Sequence, residues 1–317
     1  MSNRKNILLT SIGGLTGIYL SKHLKKTSDH RLIGIDNSIM NPTINLVDKF
    51  YEVPLVKDNN YEKSIITIIN DEKIDIIIPI TSYDMNFFTQ EKIKNKINDV
   101  KILVMSHEIH RKLSNKIDSY NFLNDLGLNT PKILDINSIK NFPIIMKPIE
   151  SSGSKNTIII HNITDLNYWK NQYKNSFYTE FLNGKEFTVD CLFDLESKCN
   201  GYNVRERVKK NWGAATVSKN FYKIDLTKII NKLENKNIIG PLNFQFKLGD
   251  NNQIIIFDFN TRFASGGLPL TVNSGFDIPN RLINILIGKK IKKWEMNMDF
   301  HNYTMIRFFD EFFTFTK

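Results

Sequence analysis

The chain has 317 residues, 43 Lys and Arg against 33 Asp and Glu, a formal net charge of +10, 41% hydrophobic residues and only 15 glycines. That length predicts two or three units around separate cores, and the apolar content excludes a disordered or fibrous chain. The lysines are spread rather than clustered, which reads as a solvated surface and not a nucleic-acid face, and no apolar run reaches the ~18–20 residues that cross a bilayer.

An apolar run at 7–10 enters Ser11-Ile12-Gly13-Gly14-Leu15-Thr16-Gly17 and is followed by helical spacing of Ile18, Leu20 and Leu24. Arg4 and Lys5 ahead of this run have the outline of a signal peptide, but no small-residue cleavage site follows. The pattern is instead strand, glycine turn, helix. A second strand at 31–35 closes on Asp36, a helix is predicted at 61–69, and buried strands at 75–80 and 102–105. Strands alternating with helices predict βαβ units and a parallel sheet. Gly13-Gly14-x-x-Gly17 with Asp36 resembles a dinucleotide fingerprint without its full glycine spacing, and a tight turn with close helix packing is the favoured reading.

Beyond residue 110 the pattern changes. Asn115-Lys116 leads into a helix with Tyr120, Phe122 and Leu123, and an apolar strand then ends in Met146-Lys147-Pro148, before the loop Ser151-Ser152-Gly153-Ser154-Lys155-Asn156. A cation on a rigid strand beside a Ser/Gly loop suits phosphate oxygens, which the loop amides can wrap. In the next segment a strand reaches Glu180-Phe181-Leu182, turns at Asn183-Gly184 and returns through Glu186. Its backbone at Glu180 and Leu182 can meet the edge of a purine while Glu186 accepts ribose hydroxyls; an ordinary hairpin with solvated acids is the other reading.

The strongest chemistry lies at 254–263. Period two predicts Asp258, Asn260 and Arg262 on one strand face, with Phe257, Phe259 and Phe263 on the other. Hard oxygen donors on a strand built for burial suit Mg²⁺ bridging phosphates, Arg262 can neutralise a transferring phosphoryl group, and Gln245 on the neighbouring strand adds an oxygen. No histidine pair has metal spacing, and Cys191 with Cys199 lacks a zinc-type separation. Two cysteines form no disulfide framework, which predicts a cytoplasmic protein. A helix is predicted around 283–287, and Phe308, Phe309, Phe312 and Phe313 read as a core stripe.

This ordered set (Asn115-Lys116, Met146-Lys147-Pro148 with Gly153-Ser154, Glu180-Phe181-Leu182 with Glu186, Asn243-x-Gln245, and Asp258-Phe259-Asn260-Thr261-Arg262) resembles the ATP-grasp superfamily, nearest the stand-alone proteins related to the carbamoyl phosphate synthetase large subunit. The resemblance implies an α/β and α+β chain: a Rossmann-like domain at 1–108 that binds no dinucleotide, an ATP-grasp subdomain with the phosphate loop at 109–185, and a C-terminal subdomain at 186–317. It implies a carboxylate–amine ligase working through an acyl phosphate, with ATP and Mg²⁺ as cofactors and Mn²⁺ as an alternative ion. Its partners would be a small-molecule carboxylate and amine, with no nucleic acid or membrane and with a homodimer left open.

Carried over, Lys116, Lys147, Ser152, Gly153 and Ser154 meet the phosphates, Glu180, Phe181 and Leu182 the adenine, and Glu186 the ribose. Gln245, Asp258 and Asn260 take the metal, Arg262 the phosphoryl group, and Arg205 with Arg207 the acceptor side; an exposed charged strand is the other reading of those two arginines. Three positions depart from the family pattern: Asn115 for an acid, Asn156 for a glycine, and Asp258 for a glutamate. A kinase acting on a hydroxyl, a silent nucleotide-binding module and a nicotinamide oxidoreductase are the competing functions.

Overall fold

The computed structural model describes residues 4–97, 99–149, 157–211, 213–308, 310–311 and 313. The first unit contains β1 (Asn6–Leu9), α1 (Leu15–Thr27), β2 (Arg31–Asp36), β3 (Lys49–Glu52), α2 (Tyr61–Asp71), β4 (Ile76–Ile78), α3 (Ser82–Phe88), α4 (Glu91–Lys96) and β5 (Lys101–Ile102). Its five strands are parallel, in the order β3-β2-β1-β4-β5. The Ile- and Leu-rich runs of β1, β2 and β4 are buried on both faces, as a sheet covered by helices on either side requires. The strand β3 is absent from the sequence reading: its Lys-Phe-Tyr-Glu run sits at the sheet edge and carries exposed charges at both ends.

The glycine turn is a packing device. A Cβ on Gly17 would lie 2.3 Å from the Ile12 carbonyl oxygen, so the glycine lets α1 press on the end of β1. The Asp36 carboxylate accepts a hydrogen bond from the Gly13 amide at 2.7 Å. The acid at the end of β2 is thus engaged by the glycine loop itself.

The middle of the chain supplies α5 (His107–Ser114), α6 (Lys116–Asp125), β6 (Ile133–Leu134), β7 (Ile144–Pro148), β8 (Ile158–Ile160), α7 (Ile163–Gln172) and β9 (Ser176–Glu180). Strands β6, β9, β7 and β8 form a four-stranded antiparallel sheet in that order. Its own core is small, built on Ile144, Met146, Ile160, Leu166 and Tyr178. Helices α5 and α6 pack elsewhere: Leu113, Phe122 and Leu123 share the largest core with the C-terminal sheet.

That sheet is antiparallel and six-stranded, in the order β14-β13-β10-β11-β12-β15, from β10 (Glu186–Phe193), β11 (Cys199–Asn211), β12 (Ala214–Asn220), β13 (Gly240–Leu248), β14 (Ile254–Asn260) and β15 (Thr304–Ile306), with α8 (Thr227–Leu233), α9 (Leu268–Asn273) and α10 (Ile278–Leu286). The hairpin expected across Asn183-Gly184 is not formed. Strand β9 ends one sheet and β10 begins another, so this turn crosses between sheets and leaves a cleft there. The stretch from Phe263 to Leu286 packs Phe263, Leu268, Phe276, Leu282 and Leu286 against Ile7, Leu9, Leu20 and Leu24 of the first unit. The expected C-terminal core stripe is not seen at Phe308 and Phe313, which are exposed: they follow β15, the outermost strand, and among the described residues no layer packs over them. Phe309 and Phe312 lie outside the described residues.

Candidate active site

Strand β14 faces β13 with Asn260 opposite Asn243 and Asp258 opposite Gln245. The register then slips: Phe246 pairs with Ile256, so Phe257 is an extra residue, a bulge in β14. The bulge corrects the sequence reading of this strand. Phe259 keeps to the core, stacked on Phe244, but Phe257 turns to the Asp258 side and lines the pocket.

A small cavity of about 80 Å³ opens at this point, lined by Lys116, Lys147, Arg205, Arg207 and Arg262 with Asp258 as its carboxylate, together with Asn243, Gln245, Asn260 and Phe257. The two antiparallel sheets and the start of α6 meet around it. Lys116 opens α6, where Asn115 caps the helix by accepting from the Ile117 and Asp118 amides at 3.0 and 3.1 Å. An asparagine does this as well as the expected acid, so the departure from the family pattern leaves the geometry of the lysine intact. The Lys116 ammonium donates to Asp258 at 3.1 Å, and the Asn260 amide donates to the other carboxylate oxygen at 2.8 Å. Burial alone would raise the Asp258 pKa, but Lys116 and Asn260 hold it down at about 2.

Lys147 comes from β7, on the opposite wall. It is 7% exposed, and donates to the Tyr120 hydroxyl at 2.7 Å and to the Phe257 carbonyl at 3.1 Å. Burial lowers its pKa to about 8; the attraction of Asp258 opposes that and the nearby Lys116 adds to it. Tyr120, itself donating to the Phe257 carbonyl at 2.7 Å, and the bulge that frees this carbonyl are features the sequence did not reveal as part of the site. Arg262 is fixed just past β14: Nε donates to Ser82 at the start of α3 at 3.0 Å and Nη1 to the Phe263 carbonyl at 2.9 Å. Behind it, the buried His110 ring lies 2.9 Å from the Thr261 hydroxyl.

The two arginines of β11 line the pocket rather than forming an exposed charged strand. Arg205 is fully buried and holds Asp190 with two bonds of 2.8 and 3.2 Å, so its charge is already matched in the pocket wall. Arg207 makes a 2.7 Å ion pair with Glu186 and donates to the Gly213 carbonyl at 2.6 Å. Glu186, expected to stand open to ribose hydroxyls, is clamped between Arg207 and Lys210.

A second cavity of about 340 Å³ adjoins the first through Lys147, Thr157, Arg207, Gln245 and Phe257, and continues between the sheets past Pro131, Ile145, Ile159, Phe181, Leu182 and Glu186. It is a mostly apolar slot opening onto cations. Phe181 and Leu182 line it; Lys247 donates to the Leu182 carbonyl at 2.7 Å and lies over the Phe181 ring. The Glu180 side chain accepts from the Lys132 amide at 2.8 Å, tying the end of β9 to the segment that leads into β6. Ser152, Gly153 and Ser154 lie outside the described residues, as does Asn156. Asn243, part of the Asn243-x-Gln245 motif, joins the lining, as do Thr157 and Lys247, which the sequence did not single out; the signal for Asn243 and Lys247 is their alternation with Gln245 along β13.

Among the described residues no three His, Cys, Asp or Glu side chains gather to form a metal cage. The donors present, one ionised carboxylate at Asp258 and the amides of Asn260 and Gln245, are hard oxygens that fit Mg²⁺ only when a phosphate completes the coordination. Such a pocket, with surplus positive charge, an apolar slot beside it and a single carboxylate, is built for a nucleoside polyphosphate carrying a divalent ion.

Comparison with known proteins agrees. Residues 7–103 match the PylC-like N-terminal domain and residues 173–306 match the family described as ATP-grasp in the biosynthetic pathway with Ter operon. A carbamoyl-phosphate synthase of Methanobrevibacter smithii is 20% identical over 287 residues, 83% of this chain and 76% of the relative. The biotin carboxylase domain of Hydrogenobacter thermophilus 2-oxoglutarate carboxylase, crystallised with MgADP, ADP and bicarbonate, superposes with a TM-score of 0.75 at 12% identity, covering 95% of this chain and 73% of that one. The L-amino acid ligase of Bacillus licheniformis gives 0.72 at 13% identity, with 96% and 79% covered. Among the described residues no helix is long and apolar enough to cross a membrane. With its parallel N-terminal unit and its two antiparallel sheets, the chain has the fold of these carboxylase and ligase structures, and its segment 173–306 is similar to the ATP-grasp family.

Proposed function

We propose that the chain is a cytoplasmic ATP-dependent carbon–nitrogen ligase, organised as a Rossmann-like domain at 1–108 and ATP-grasp subdomains at 109–185 and 186–317. The observation that carries this reading is the convergence of Lys116, Lys147 and Arg262 on the ionised Asp258 at the mouth of an apolar slot. Adenine occupies the slot beside Phe181 and Leu182. The triphosphate lies toward Lys147 and Lys116. Mg²⁺ or Mn²⁺, held by Asp258, Asn260 and Gln245, supplies neutralisation of phosphate charge.

A substrate carboxylate attacks the γ-phosphorus and ADP departs, giving an acyl phosphate; an amine then attacks the acyl carbon, expels phosphate and loses a proton to form the amide. The chain contributes position and electrostatics rather than a nucleophile. Arg262, already oriented by Ser82 and the Phe263 carbonyl, neutralises the transferring phosphoryl group without reorganisation. Arg207 marks the acceptor side once a ligand competes with Glu186 for it, whereas Arg205, matched by Asp190, shapes the wall. The test is a screen of amino acids and amino sugars, singly and in pairs, for ADP release and amide products. Amide formation that requires both a carboxylate and an amine establishes the reading. A phosphorylated hydroxyl product would replace it with a kinase, and ADP release from no pair, with nucleotide binding untouched in Asp258→Ala, would end it.

A further inference from the structure

The glycine turn and Asp36 take no part in the ligase chemistry, yet they floor a cavity of about 590 Å³ in the first unit. It lies over the carboxyl ends of β1, β2, β3 and β4, beside the point where strand order reverses between β1 and β4, the usual place for a ligand in an open parallel sheet. Its polar floor includes Gly13 and Asp36. Its outer wall is apolar and open to solvent: Met40 is 74%, Leu55 50% and Tyr83 66% exposed.

The charge of this cleft determines what it can take. Among the described residues, Asp36 and Lys57 are its only lining charges, so it has no surplus to hold a polyanion, unlike the five-cation pocket. The Gly13 amide, which a pyrophosphate would need, is occupied by Asp36 Oδ2, and the carboxylate itself repels phosphate from the start of α1. Only one oxygen of Asp36 is used this way. The other is left to accept from a pair of hydroxyls or an amino group, while a flat ring covers the exposed faces of Tyr83, Leu55 and Met40.

We propose that this cleft is a second binding site, for an unphosphorylated nucleoside: its ribose diol on Asp36, its base against Tyr83 and Leu55. Thr81 and Tyr83 of this cleft flank Ser82, the partner of Arg262, so the two sites lie on either side of the first turn of α3.

Adenosine is the probe, titrated calorimetrically into the full chain with saturating MgADP present to fill the nucleotide pocket, and with AMP and NAD⁺ as parallel titrants. The expected result is one adenosine per chain, bound at least tenfold more tightly than AMP or NAD⁺, with at least tenfold loss in Asp36→Ala and in Tyr83→Ser. Tyr83 is largely exposed, so its replacement leaves the fold intact even if Asp36→Ala loosens the glycine turn. No adenosine binding, binding that survives both substitutions, or AMP and NAD⁺ binding as tightly as adenosine would each overturn the proposal. Adenosine displaced from wild type by MgADP, but not affected by either substitution, would place it in the nucleotide pocket and overturn it too.

Discussion

The cationic pocket and the N-terminal cleft are both built at strand ends, yet they solve opposite electrostatic problems. In the pocket five cationic side chains converge with one carboxylate, and the cost of gathering them is visible in Lys147, whose pKa burial lowers to about 8. In the cleft an acid closes on its own glycine loop, and among the described residues the only other lining charge is the exposed Lys57. The difference teaches that a glycine-rich turn after a strand does not by itself make a phosphate site. What matters is whether the amides are left unpaired and whether positive charge is left unmatched around them.

The largest test of that contrast is Asp258→Ala. It removes the one carboxylate that Lys116 and Asn260 keep ionised, and the donor on which metal recruitment depends. Turnover is expected to fall by about 10³-fold or more, comparable to losing a principal electrostatic stabiliser, with a weaker effect on nucleotide affinity because the cations remain. Steady-state kinetics across a Mg²⁺ titration read both. A variant with near-normal turnover would show that the pocket's chemistry lies elsewhere.

Next in size is the titration of Lys147. With a pKa of about 8 in the free protein, its ammonium is charged at neutral pH and lost as pH rises through 8, so nucleotide affinity should weaken between pH 7 and 9. Bound phosphates favour the charged form, so binding above pH 8 should take up a proton. Calorimetry in buffers of different ionisation enthalpy measures that uptake. In Lys147→Met the pH dependence should vanish along with about 10²-fold in affinity. An unchanged pH profile in that variant would assign the proton to another group. The same depressed value has a stability consequence of the opposite sense: the folding penalty of the buried ammonium is fully present below pH 8 and is relieved as pH rises toward the ordinary lysine value of 10.5.

Much of this was legible in the sequence, and the losses have identifiable causes. The parallel unit could be read because buried Ile and Leu runs alternate with helices; β3 could not, since an edge strand of four residues with charged ends has no such period. Period two puts Asp258 and Asn260 on one face of their strand and a hairpin turn across 249–252 brings Gln245 beside them, but the bulge at Phe257 breaks that period, and nothing in Ile-Phe-Asp-Phe announces a skipped partner. Tyr120 was hidden by its own hydrophobicity, a helix aromatic whose hydroxyl finds Lys147 only after the chain has folded. The local pattern at 180–186 suggested a hairpin, whereas tertiary pairing sent the two arms to different sheets.

His110 supplies a milder test, of whether the pocket's catalytic strand end is held from behind. Its ring contacts Thr261, between Asn260 and Arg262, and burial lowers its pKa to about 4, so the native ring is neutral at physiological pH. Because the unfolded chain takes up that proton near pH 6.5, stability should be fully present above 6.5 and fall as pH drops from 6.5 toward 4. His110→Leu should lower kcat about tenfold with little change in KM, cost about 1–2 kcal/mol, and flatten this part of the Tm-against-pH curve. A changed KM with an unchanged kcat would place its influence on binding instead.

The smallest effect is expected in the cleft, at Gly14→Ala. A Cβ there meets no atom within 4 Å, and the residue's φ of −83° and ψ of 171° suit any amino acid. Alanine should therefore leave turnover unchanged and change stability by less than about 1 kcal/mol, since the unfolded chain's lost freedom is offset by alanine's weakness as the N-cap of α1. By contrast, Gly17→Ala drives a methyl to 2.3 Å from the Ile12 carbonyl oxygen and should destabilise by about 1–3 kcal/mol. Thermal denaturation of the two variants separates a turn shaped by helix packing from one shaped by a phosphate ligand. If Gly14→Ala instead abolished MgATP turnover while leaving Tm intact, the glycine turn would belong to the nucleotide site, and the contrast between the two strand-end cavities would collapse.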